Sequence, residues 1–331
     1  MRDHRRRLED EQGRVIENLR ISVTDRCNLR CRYCMPSESM TWLPSADLLR
    51  FEEIAYLAGI FAEAGIRKIR ITGGEPLMRR DLHRLIRMLK GIPGIEDLAM
   101  TTNGVFLARA LPELEAAGLD RINVSLDTLD PETFRKLTFR ESWHDIMAGL
   151  DALSRSRISP VKVNAVIIRG INDTEILDLA RLAVDRAFHV RFIEYMPIGA
   201  DAWERSRMLS GAEIRARIEE EIPLRRKPTQ RPEPAVTYLI PGAEGTIGFI
   251  NSVTEPFCDS CNRIRITSDG FLRTCLFSVR ETDLRAPLRN GADRATLLRI
   301  IREAVARKEP GHRINDPDFV KPSRTMSQIG G

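Results

Sequence analysis

Strand-like and helical segments alternate along the first two thirds of this 331-residue chain. Six runs have β-type character, at residues 19–23, 68–71, 97–101, 121–125, 161–168 and 190–194, and periodic apolar segments lie between them at 51–64, 82–90, 107–117, 143–154 and 175–186. Repeated strand–helix units predict a parallel sheet with right-handed crossovers. Because there are six such units, and no Gly-x-Gly-x-x-Gly motif follows the first strand, we predict an α/β fold with a partial, TIM-like (β/α)6 barrel. A closed eight-unit barrel and a dinucleotide-binding fold fit less well.

The character of the sequence changes after residue 200. Residues 223–241 contain five prolines, and they are followed by strand-like runs at 245–250 and 264–266 and by one helical segment at 295–307. We therefore predict three regions, an N-terminal arm at residues 1–17, the partial barrel at 18–222 and a smaller α+β region at 223–331. The C-terminal region is expected to close the open side of the barrel.

Composition and charge narrow the class of protein. Hydrophobic residues make up 42% of the chain and charged residues 30%, which is typical of a soluble globular protein. No apolar run approaches the ~20 residues needed to cross a bilayer, and the basic N-terminus has no apolar segment behind it. We therefore expect a cytoplasmic protein with no secretory signal. The net charge of +5 is compatible with nucleic acid, a membrane surface or a small polyanionic substrate.

All six cysteines fall into two groups of three, and the first group follows the first predicted strand. Cys27, Cys31 and Cys34 have C-x3-C-x2-C spacing. Thiolate is the preferred ligand of iron–sulfur clusters, and three thiolates can hold three corners of a four-iron cluster while the fourth iron stays open. A zinc site would need a fourth ligand, which is not found nearby, and disulfides cannot pair three thiols evenly. The spacing favours an open cluster over another kind of metal site or incidental thiols.

The second group, Cys258, Cys261 and Cys275, has C-x2-C-x13-C spacing. A C-x2-C unit serves both zinc sites and iron–sulfur clusters, and His312 or Asp259 could complete a zinc site. The motif by itself therefore leaves zinc and an iron–sulfur cluster open. Neither group has a spare cysteine, so two three-cysteine sites are the economical interpretation.

Small and polar residues follow the predicted strands, at the end where the catalytic residues of such barrels gather. They lie in the cysteine loop and at residues 73–76, 101–104, 125–127 and 195–197. In Gly73-Gly74-Glu75-Pro76 the glycines would let a ligand approach the backbone, and the Glu75 carboxylate could hold an ammonium group. An ordinary strand-to-helix turn is the alternative. Beside an open cluster iron, this turn is suited to the amino end of S-adenosylmethionine, and Tyr33 could lay its ring against the bound molecule.

Several cations lie where apolar residues are expected. Arg70, Lys162 and Arg191 fall inside predicted strands, and Arg263 and Arg265 share one face of another. A buried cation is unfavourable without an anionic partner, and Arg suits bidentate contacts to phosphate. A structural ion pair is the simpler explanation for any one of them, whereas five that converge on one cavity would favour a polyanionic substrate such as a triphosphate.

Together, the cysteine loop and the Gly-Gly-Glu-Pro turn resemble the radical S-adenosylmethionine superfamily. More narrowly, the sequence resembles the GTP 3′,8-cyclase family, which begins molybdenum cofactor biosynthesis. That resemblance rests on residues 13–14, 19–28, 257–265, 269–277 and 326–331 and runs over essentially the whole chain. Leu29 stands where an aromatic residue is common in the family, an apolar exchange that affects no ligand.

The resemblance implies a radical enzyme with two [4Fe-4S] clusters, one on each cysteine group, and S-adenosylmethionine as cofactor. GTP would bind through its guanine to the open iron of the second cluster. A 5′-deoxyadenosyl radical would remove hydrogen from C3′ of GTP, and the resulting radical would add to C8 of guanine. One-electron reduction would then give (8S)-3′,8-cyclo-7,8-dihydroguanosine 5′-triphosphate.

The resemblance also implies roles for individual residues. The residues expected to contact S-adenosylmethionine are Tyr33, Gly74, Ser125 and Met196, to which the glycine turn adds Gly73 and Glu75. The residues expected to contact GTP are Arg20, Arg70, Thr101, Lys162, Arg263 and Arg265, to which the strand pattern adds Arg191. The candidate catalytic residues are Arg263, Arg265, Gly330 and Gly331, the two glycines because the tail of the family enters the active site.

The expected partners are GTP, a flavodoxin- or ferredoxin-like one-electron reductant and the downstream cyclic pyranopterin monophosphate synthase. A homodimer is suggested, and no membrane or nucleic-acid partner is expected. Two other functions stay open at this point. A radical enzyme that modifies peptide or RNA would need a groove open to a polymer, whereas a zinc-stabilised nucleic-acid-binding protein would have no catalysis.

Overall fold

The computed structural model describes residues 7–35, 40–198, 203–228 and 233–330. Its strands are β1 Asn18–Ser22, β2 Lys68–Thr72, β3 Asp97–Thr102, β4 Arg121–Ser125, β5 Val161–Ile167, β6 His189–Glu194, β7 Arg225–Arg226, β8 Val236–Leu239, β9 Thr246–Ile250, β10 Arg263–Ile266, β11 Phe271–Arg273 and β12 Thr282–Asp283. Its helices are α1 Phe51–Glu63, α2 Leu82–Lys90, α3 Leu107–Ala116, α4 Pro131–Thr138, α5 Trp143–Leu153, α6 Ile176–Asp185, α7 Gly211–Glu219, α8 Arg285–Arg289, α9 Arg294–Ala306 and α10 Met326–Ile329. None of the described helices is long and apolar enough to cross a membrane.

The first six strands form a parallel sheet in chain order, with helices in the connections between them. The terminal strands of the whole sheet, β12 and β7, do not pair with each other in the described part of the chain, so the barrel is open. The prediction of an α/β fold with a partial barrel is confirmed.

Helix α4 is an element that the hydrophobic pattern did not predict. It begins with Pro131, and the Asp130 carboxylate accepts a hydrogen bond from the Thr133 amide at 2.6 Å. An N-cap aspartate followed by proline is a strong start signal for a helix. The signal is easily overlooked here because α4 is short and has few apolar residues.

Strands from the C-terminal region extend the sheet at both edges. β10 lies parallel to β1 and leads on to β11 and β12, whereas β9 lies parallel to β6 and leads on to β8 and β7. All twelve strands therefore belong to one sheet. The pairing of β1 with β10 matters most for the site, because it places Arg20 beside Arg265 and Asn18 beside Arg263.

Side chains of the parallel strands alternate between an apolar outer face and a polar inner face. In β5, Val163 and Ala165 are buried in the main hydrophobic core, whereas Lys162 lies on the opposite face. Arg20 and Arg70 are neighbours on the corresponding face of β1 and β2. The apolar face packs on the helices and holds the sheet together, so the polar face is left to line the inside of the barrel.

Candidate active site

The first cysteine group lies on the loop that leaves the carboxyl end of β1. This loop is supported by the unpredicted helix α4, because the amides of Arg30 and Arg32 donate to the carbonyls of Thr138 and Leu137, each at 3.0 Å. Within the loop, the amide of Cys34 donates to the carbonyl of Cys31 at 2.9 Å. Cys34 and Cys27 both act on the pKa of Cys31, so the three thiols are neighbours on this loop.

The glycine turn after β2 packs directly against the stem of the cysteine loop. The Gly74 amide donates to the Thr24 carbonyl at 2.7 Å, and the Glu75 amide donates to the Arg26 carbonyl at 2.8 Å. A Cβ atom on Gly74 would lie 2.3 Å from the Arg26 carbonyl oxygen, and one on Gly73 would lie 2.7 Å from the Thr24 carbonyl oxygen. The close approach of the two backbone segments therefore requires both glycines, whether or not the glycines also make room for a ligand.

Glu75 is completely buried beneath the turn. Its carboxylate accepts hydrogen bonds from the Leu77 amide at 2.9 Å, the Thr102 hydroxyl at 2.8 Å and the Asn103 amide at 2.7 Å. Burial raises the pKa of Glu75 to about 7, although these three donors oppose the change. Glu75 ties the glycine turn to the loop after β3, and its expected contact with an ammonium group stays a prediction.

Two polar residues that had no assigned role lie beside the first cysteine group. The Asn103 side-chain amide donates to Asn28 at 2.8 Å and lies 3.7 Å from the Cys27 sulfur. Asp127, two residues after the end of β4, accepts a hydrogen bond from the Tyr33 hydroxyl at 2.6 Å and another from the Val166 amide at 2.8 Å. Their position directly after strands was the only sequence signal for either residue.

Burial and neighbouring acids make two thiols of the first group, Cys27 and Cys31, hard to ionise. Burial, with a contribution from Glu75, raises the pKa of Cys27 to about 11. The pKa of Cys31 is also raised, first by burial and then by Cys34 and Asp127. The pKa of Asp127 itself is raised to about 6 by burial, although the hydrogen bond from Tyr33 opposes the change. The first site is therefore an acidic, poorly solvated environment.

The second cysteine group lies at the other end of the β1–β10 pair. Cys258 and Cys261 sit on a single 3-10 turn just before β10, and the Cys261 amide donates to the Cys258 carbonyl at 3.0 Å. Cys275 comes shortly after β11, which runs antiparallel to β10 and so returns to the same end. The two cysteine groups thus lie at opposite ends of adjacent parallel strands.

Cations surround the second group. The guanidinium of Arg14 donates to the Cys258 carbonyl at 2.8 Å, and the Lys308 ammonium donates to the Arg263 carbonyl at 3.2 Å. Burial opposes ionisation of Cys261, but Lys308 and the nearby arginines outweigh it, and the pKa of this thiol is lowered. Neither Arg14 nor Lys308 was predicted to take part in a site. Gly13-Arg14 was used only as one of the segments that resemble the family.

The donor atoms of both groups suit iron–sulfur clusters. Within the described ranges, no group of three or more His, Cys, Asp or Glu side chains is gathered closely enough to surround one metal ion. The thiols that hold a four-iron cluster can lie farther apart than the ligands of one metal ion, because the three cysteines bind three different iron atoms. Of the two proposed zinc ligands, His312 contacts Cys258 through its main chain, and its buried Nδ1 has no hydrogen-bond partner among the residues that the structure describes. Three thiolates and one open corner at each group are consistent with the expected clusters.

The barrel interior between the two groups is lined with cations. They are Arg20, Arg70, Arg121, Lys162, Arg191, Arg263 and Arg265. Arg121 pairs with Asp97, and Arg191 lies 3.8 Å from Glu233. The other five make no ion pair with a carboxylate among the residues that the structure describes, and the Arg20 Nε is buried without a hydrogen-bond partner. The structure therefore brings together the cations that the strand pattern singled out.

Burial and mutual repulsion lower the pKa values of these cations. Burial, followed by neighbouring arginines, lowers the pKa of Arg70 to about 9 and that of Lys162 to about 7. Burial also lowers the pKa values of Arg191 and Arg265 to about 10, and the pKa of Arg20 is lowered by burial and by Arg265. The charged forms of these residues are therefore unfavourable in free energy, and a bound polyanion would stabilise them.

The C-terminal tail reaches the same interior. The Arg265 guanidinium donates to the Gly330 carbonyl at 3.0 Å, and a Cβ atom on Gly330 would lie 2.8 Å from both the Ser22 Cβ and the Thr72 hydroxyl oxygen. Gly330 has φ of +85°, so glycine is favoured for its conformation as well. Gly331 lies outside the described residues.

The remaining predicted residues occupy different parts of the interior. Thr101 lies 3.4 Å from the Arg70 guanidinium, and Ser125 ends β4. Met196 packs in a small hydrophobic cluster that also includes Cys275 and Met326, near the second cysteine group. The expected contacts of Ser125 and Met196 with S-adenosylmethionine stay predictions.

A partial parallel barrel with a three-cysteine loop and a glycine turn at the carboxyl ends of its strands defines a radical S-adenosylmethionine enzyme. Residues 21–183 match the family model "Radical SAM superfamily", and residues 188–314 match "Molybdenum Cofactor Synthesis C". The chain belongs to the GTP 3′,8-cyclase family, because curated relatives of that name are about 45% identical to it over nearly all of this chain.

Relatives called GTP 3′,8-cyclase occur in bacteria and plants. The chain is 46% identical to that of Rhodopirellula baltica, covering 98% of this chain and 92% of the relative. It is 45% identical to that of Pelotomaculum thermopropionicum, with 98% and 100% covered, and 44% identical to the mitochondrial enzyme of Arabidopsis thaliana, with 98% and 83% covered.

Solved structures support the fold. Streptococcus suis SuiB superposes with a TM-score of 0.55 at 15% identity, covering 80% of this chain and 62% of that chain. A radical SAM methyltransferase from Sphaerobacter thermophilus gives a TM-score of 0.50 at 19% identity, with 64% and 67% covered.

Proposed function

We propose that this protein is a GTP 3′,8-cyclase, which converts GTP to (8S)-3′,8-cyclo-7,8-dihydroguanosine 5′-triphosphate in the first step of molybdenum cofactor biosynthesis. The observation that supports this most directly is the arrangement along β1 and β10. Two three-cysteine groups lie at opposite ends of the strand pair, and cations that form no ion pair with a carboxylate among the described residues lie between them. A nucleoside triphosphate bridging the two sites would match both the charge and the position of these groups.

We propose that each cysteine group holds a [4Fe-4S] cluster, Cys27, Cys31 and Cys34 in the first site and Cys258, Cys261 and Cys275 in the second. Reduction of S-adenosylmethionine by an open four-iron cluster is the chemistry that such a site supplies. The residues proposed to bind S-adenosylmethionine are Tyr33, Gly73, Gly74, Glu75, Ser125 and Met196.

The interior cations are proposed to hold the triphosphate. Arg20, Arg70 and Arg265 are neighbours across β2, β1 and β10, so their guanidinium groups can share one chain of phosphates. Thr101, Lys162, Arg191 and Arg263 complete the proposed GTP site. Charge-assisted contacts of this kind fix orientation as well as affinity, which places C3′ for hydrogen removal.

The tail is proposed to cover the bound nucleotide. Arg265 binds the Gly330 carbonyl and is also a proposed phosphate ligand, so it can link the tail to the substrate. Gly330 lies against Ser22 and Thr72, at the carboxyl ends of β1 and β2. A covered site excludes water from a radical reaction.

The test is an anaerobic assay of the iron-reconstituted protein with GTP, S-adenosylmethionine and a reductant. We expect both 5′-deoxyadenosine and the cyclised nucleotide. Cleavage of S-adenosylmethionine with no cyclised nucleotide would contradict the proposed function. Tight RNA or peptide binding with no GTP binding would favour a polymer-modifying radical enzyme instead. Metal analysis separates the zinc alternative, because two clusters give about eight iron atoms per chain.

Further proposals concern the setting of the reaction. The protein is proposed to act in the cytoplasm as a homodimer, to receive electrons from a flavodoxin- or ferredoxin-like protein and to pass its product to cyclic pyranopterin monophosphate synthase. The division into an arm, a barrel at residues 18–222 and a C-terminal region at 223–331 is likewise proposed.

A further inference from the structure

A buried lysine joins the two chain segments that carry the second cysteine group. Lys308 follows α9 and is only 3% exposed. Its ammonium donates to the Arg263 carbonyl at 3.2 Å and to the Thr274 carbonyl. Arg263 lies two residues after Cys261, and Thr274 directly precedes Cys275. The lysine thus holds the backbone beside two of the three cysteines.

A buried arginine holds the third cysteine. Arg14 is 7% exposed and donates to the Cys258 carbonyl at 2.8 Å. It also donates to the carbonyls of Pro310 at 2.8 Å and Glu309 at 2.7 Å, in the segment that follows Lys308. Arg14 and Lys308 therefore form one clamp on the backbone of all three cysteines.

The two cations of this clamp differ in their counter-charge. Arg14 forms a buried ion pair with Asp10, with Nε and Oδ2 2.6 Å apart. Lys308 forms no ion pair with a carboxylate anywhere in the described part of the chain. The adjacent Glu309 carboxylate is directed to the hydroxyls of Thr274, at 2.8 Å, and Ser278, at 2.5 Å.

Among the described residues the Lys308 ammonium donates to carbonyls, and the adjacent Glu309 carboxylate interacts with it only through space while two hydroxyls bind that carboxylate. The buried charge of Lys308 is therefore only partly compensated, whereas buried charges are normally paired. A cluster bound by three thiolates carries net negative charge and would lie beside this ammonium. We propose that Lys308 is the internal counter-charge of the iron–sulfur cluster on Cys258, Cys261 and Cys275, a positioning residue that makes this cluster easier to reduce and to retain. The proposal rests on the proposed presence of a second cluster.

The direction of the effect follows from electrostatics. Reduction adds an electron to the cluster, and a fixed cation nearby stabilises the more negative state. Removing the charge of Lys308 should therefore shift the midpoint potential of the second cluster to a more negative value. Arg14 should contribute less to the potential, because Asp10 balances its charge.

The experiment compares Lys308→Met with Lys308→Arg in the reconstituted full-length protein. The midpoint potential is measured by an EPR-monitored redox titration, in which the first cluster is identified by its response to S-adenosylmethionine and serves as an internal reference. We expect a negative shift of the second cluster and a loss of iron in Lys308→Met, and values near those of the unsubstituted protein in Lys308→Arg. The matched control is Asp10→Asn combined with Arg14→Met, which removes a balanced pair and should shift the potential less.

An unchanged potential and iron content in Lys308→Met would overturn the proposal, as would equal shifts in both clusters. Where Lys308→Met does not retain the second cluster, Lys308→Arg decides the outcome, because it keeps the charge. Retention of the second cluster in Lys308→Arg would support the proposal, whereas loss of that cluster in both variants would overturn it.

Failure of the proposed function can be distinguished from failure of the proposal about Lys308. The unsubstituted protein would then make no cyclised nucleotide or would hold only about four iron atoms per chain. The potential of a cluster that is present can be measured without GTP.

Discussion

Each cysteine group contains three thiols, but the two groups differ in the charge of the residues around them. The buried carboxylate of Glu75 and the half-buried carboxylate of Asp127 lie near the first group, and the pKa values of Cys27 and Cys31 are raised. Buried cations lie against the second group, where they lower the pKa of Cys261, and Lys308 opposes the rise that burial causes in the pKa of Cys258. One barrel therefore presents two opposite electrostatic environments at the two ends of the same strands.

This difference suits two different tasks. Nearby negative charge disfavours the reduced state of a cluster and makes the cluster a stronger reductant, whereas positive charge favours the reduced state. On the proposed function, the first site must reduce S-adenosylmethionine, and the second must hold an anionic nucleotide next to the interior cations. The predictions below test this contrast.

The largest effects should come from removing one cysteine at each site. Cys31→Ala should abolish both 5′-deoxyadenosine release and nucleotide cyclisation, because the first site starts the radical reaction. Cys261→Ala should also reduce cyclisation to background but should leave S-adenosylmethionine cleavage measurable. Chromatography of both products in one assay distinguishes the variants. Loss of cleavage in both variants would show that the sites do not work separately.

Removing an interior cation should weaken GTP binding without affecting the first site. A hydrogen bond to a charged group contributes about 1.5–3 kcal/mol, so Arg20→Met should weaken GTP binding roughly 10- to 150-fold. The same variant should melt at a higher temperature without nucleotide, because burial and Arg265 disfavour the charged guanidinium.

Calorimetric titration and thermal unfolding measure the two effects of Arg20→Met. Arg84→Met, on the exposed face of α2, is the matched control and should change neither. Weaker GTP binding with lower stability would indicate a structural role for Arg20 instead.

The sequence predicts most of the barrel because its signals are local. Each strand has its own apolar run and each cysteine group its own spacing, and these patterns place the chemistry at the strand ends. The clamp of Arg14 and Lys308 could not be predicted in this way, since Arg14 and Cys258 are 244 residues apart in the chain. The hydrogen bonds of Glu75 could not be predicted for the same reason, because its carboxylate accepts them from the next strand and from the loop after that strand.

A smaller effect is expected from the titration of Lys162. Burial and the surrounding arginines lower its pKa to about 7, so its charged form is lost as the pH rises through that value in the nucleotide-free protein. Phosphate binding should restore the proton. We therefore expect proton uptake on GTP binding above pH ~7 and weaker binding at higher pH.

Calorimetry in buffers of different ionisation enthalpy measures this uptake. Lys162→Arg keeps the charge at every accessible pH, so it should remove most of the uptake while preserving GTP affinity. Uptake that persists unchanged in Lys162→Arg would assign the proton to another group.

The smallest effect should come from Tyr33, whose hydroxyl donates to Asp127 at 2.6 Å. The pKa of Asp127 is raised to about 6 by burial, and the hydrogen bond from Tyr33 opposes that rise. Tyr33→Phe should therefore raise the pKa of Asp127 further. The acidic limb of the pH profile for S-adenosylmethionine cleavage should move to higher pH, because the ionised carboxylate is then lost earlier as the pH falls.

At high pH the cost of Tyr33→Phe should be about 1 kcal/mol, or roughly fivefold in kcat/KM for S-adenosylmethionine, with no change in the KM for GTP. Asp127→Asn should abolish the limb, and Tyr56→Phe, on the outer helix α1, should leave it in place. A limb that stays fixed in Tyr33→Phe would show that Asp127 does not set the charge at the first site. An equal change in the KM for GTP would mean that the charge at the first cysteine group also acts on the GTP site, although the two cysteine groups lie at opposite ends of the β1–β10 pair.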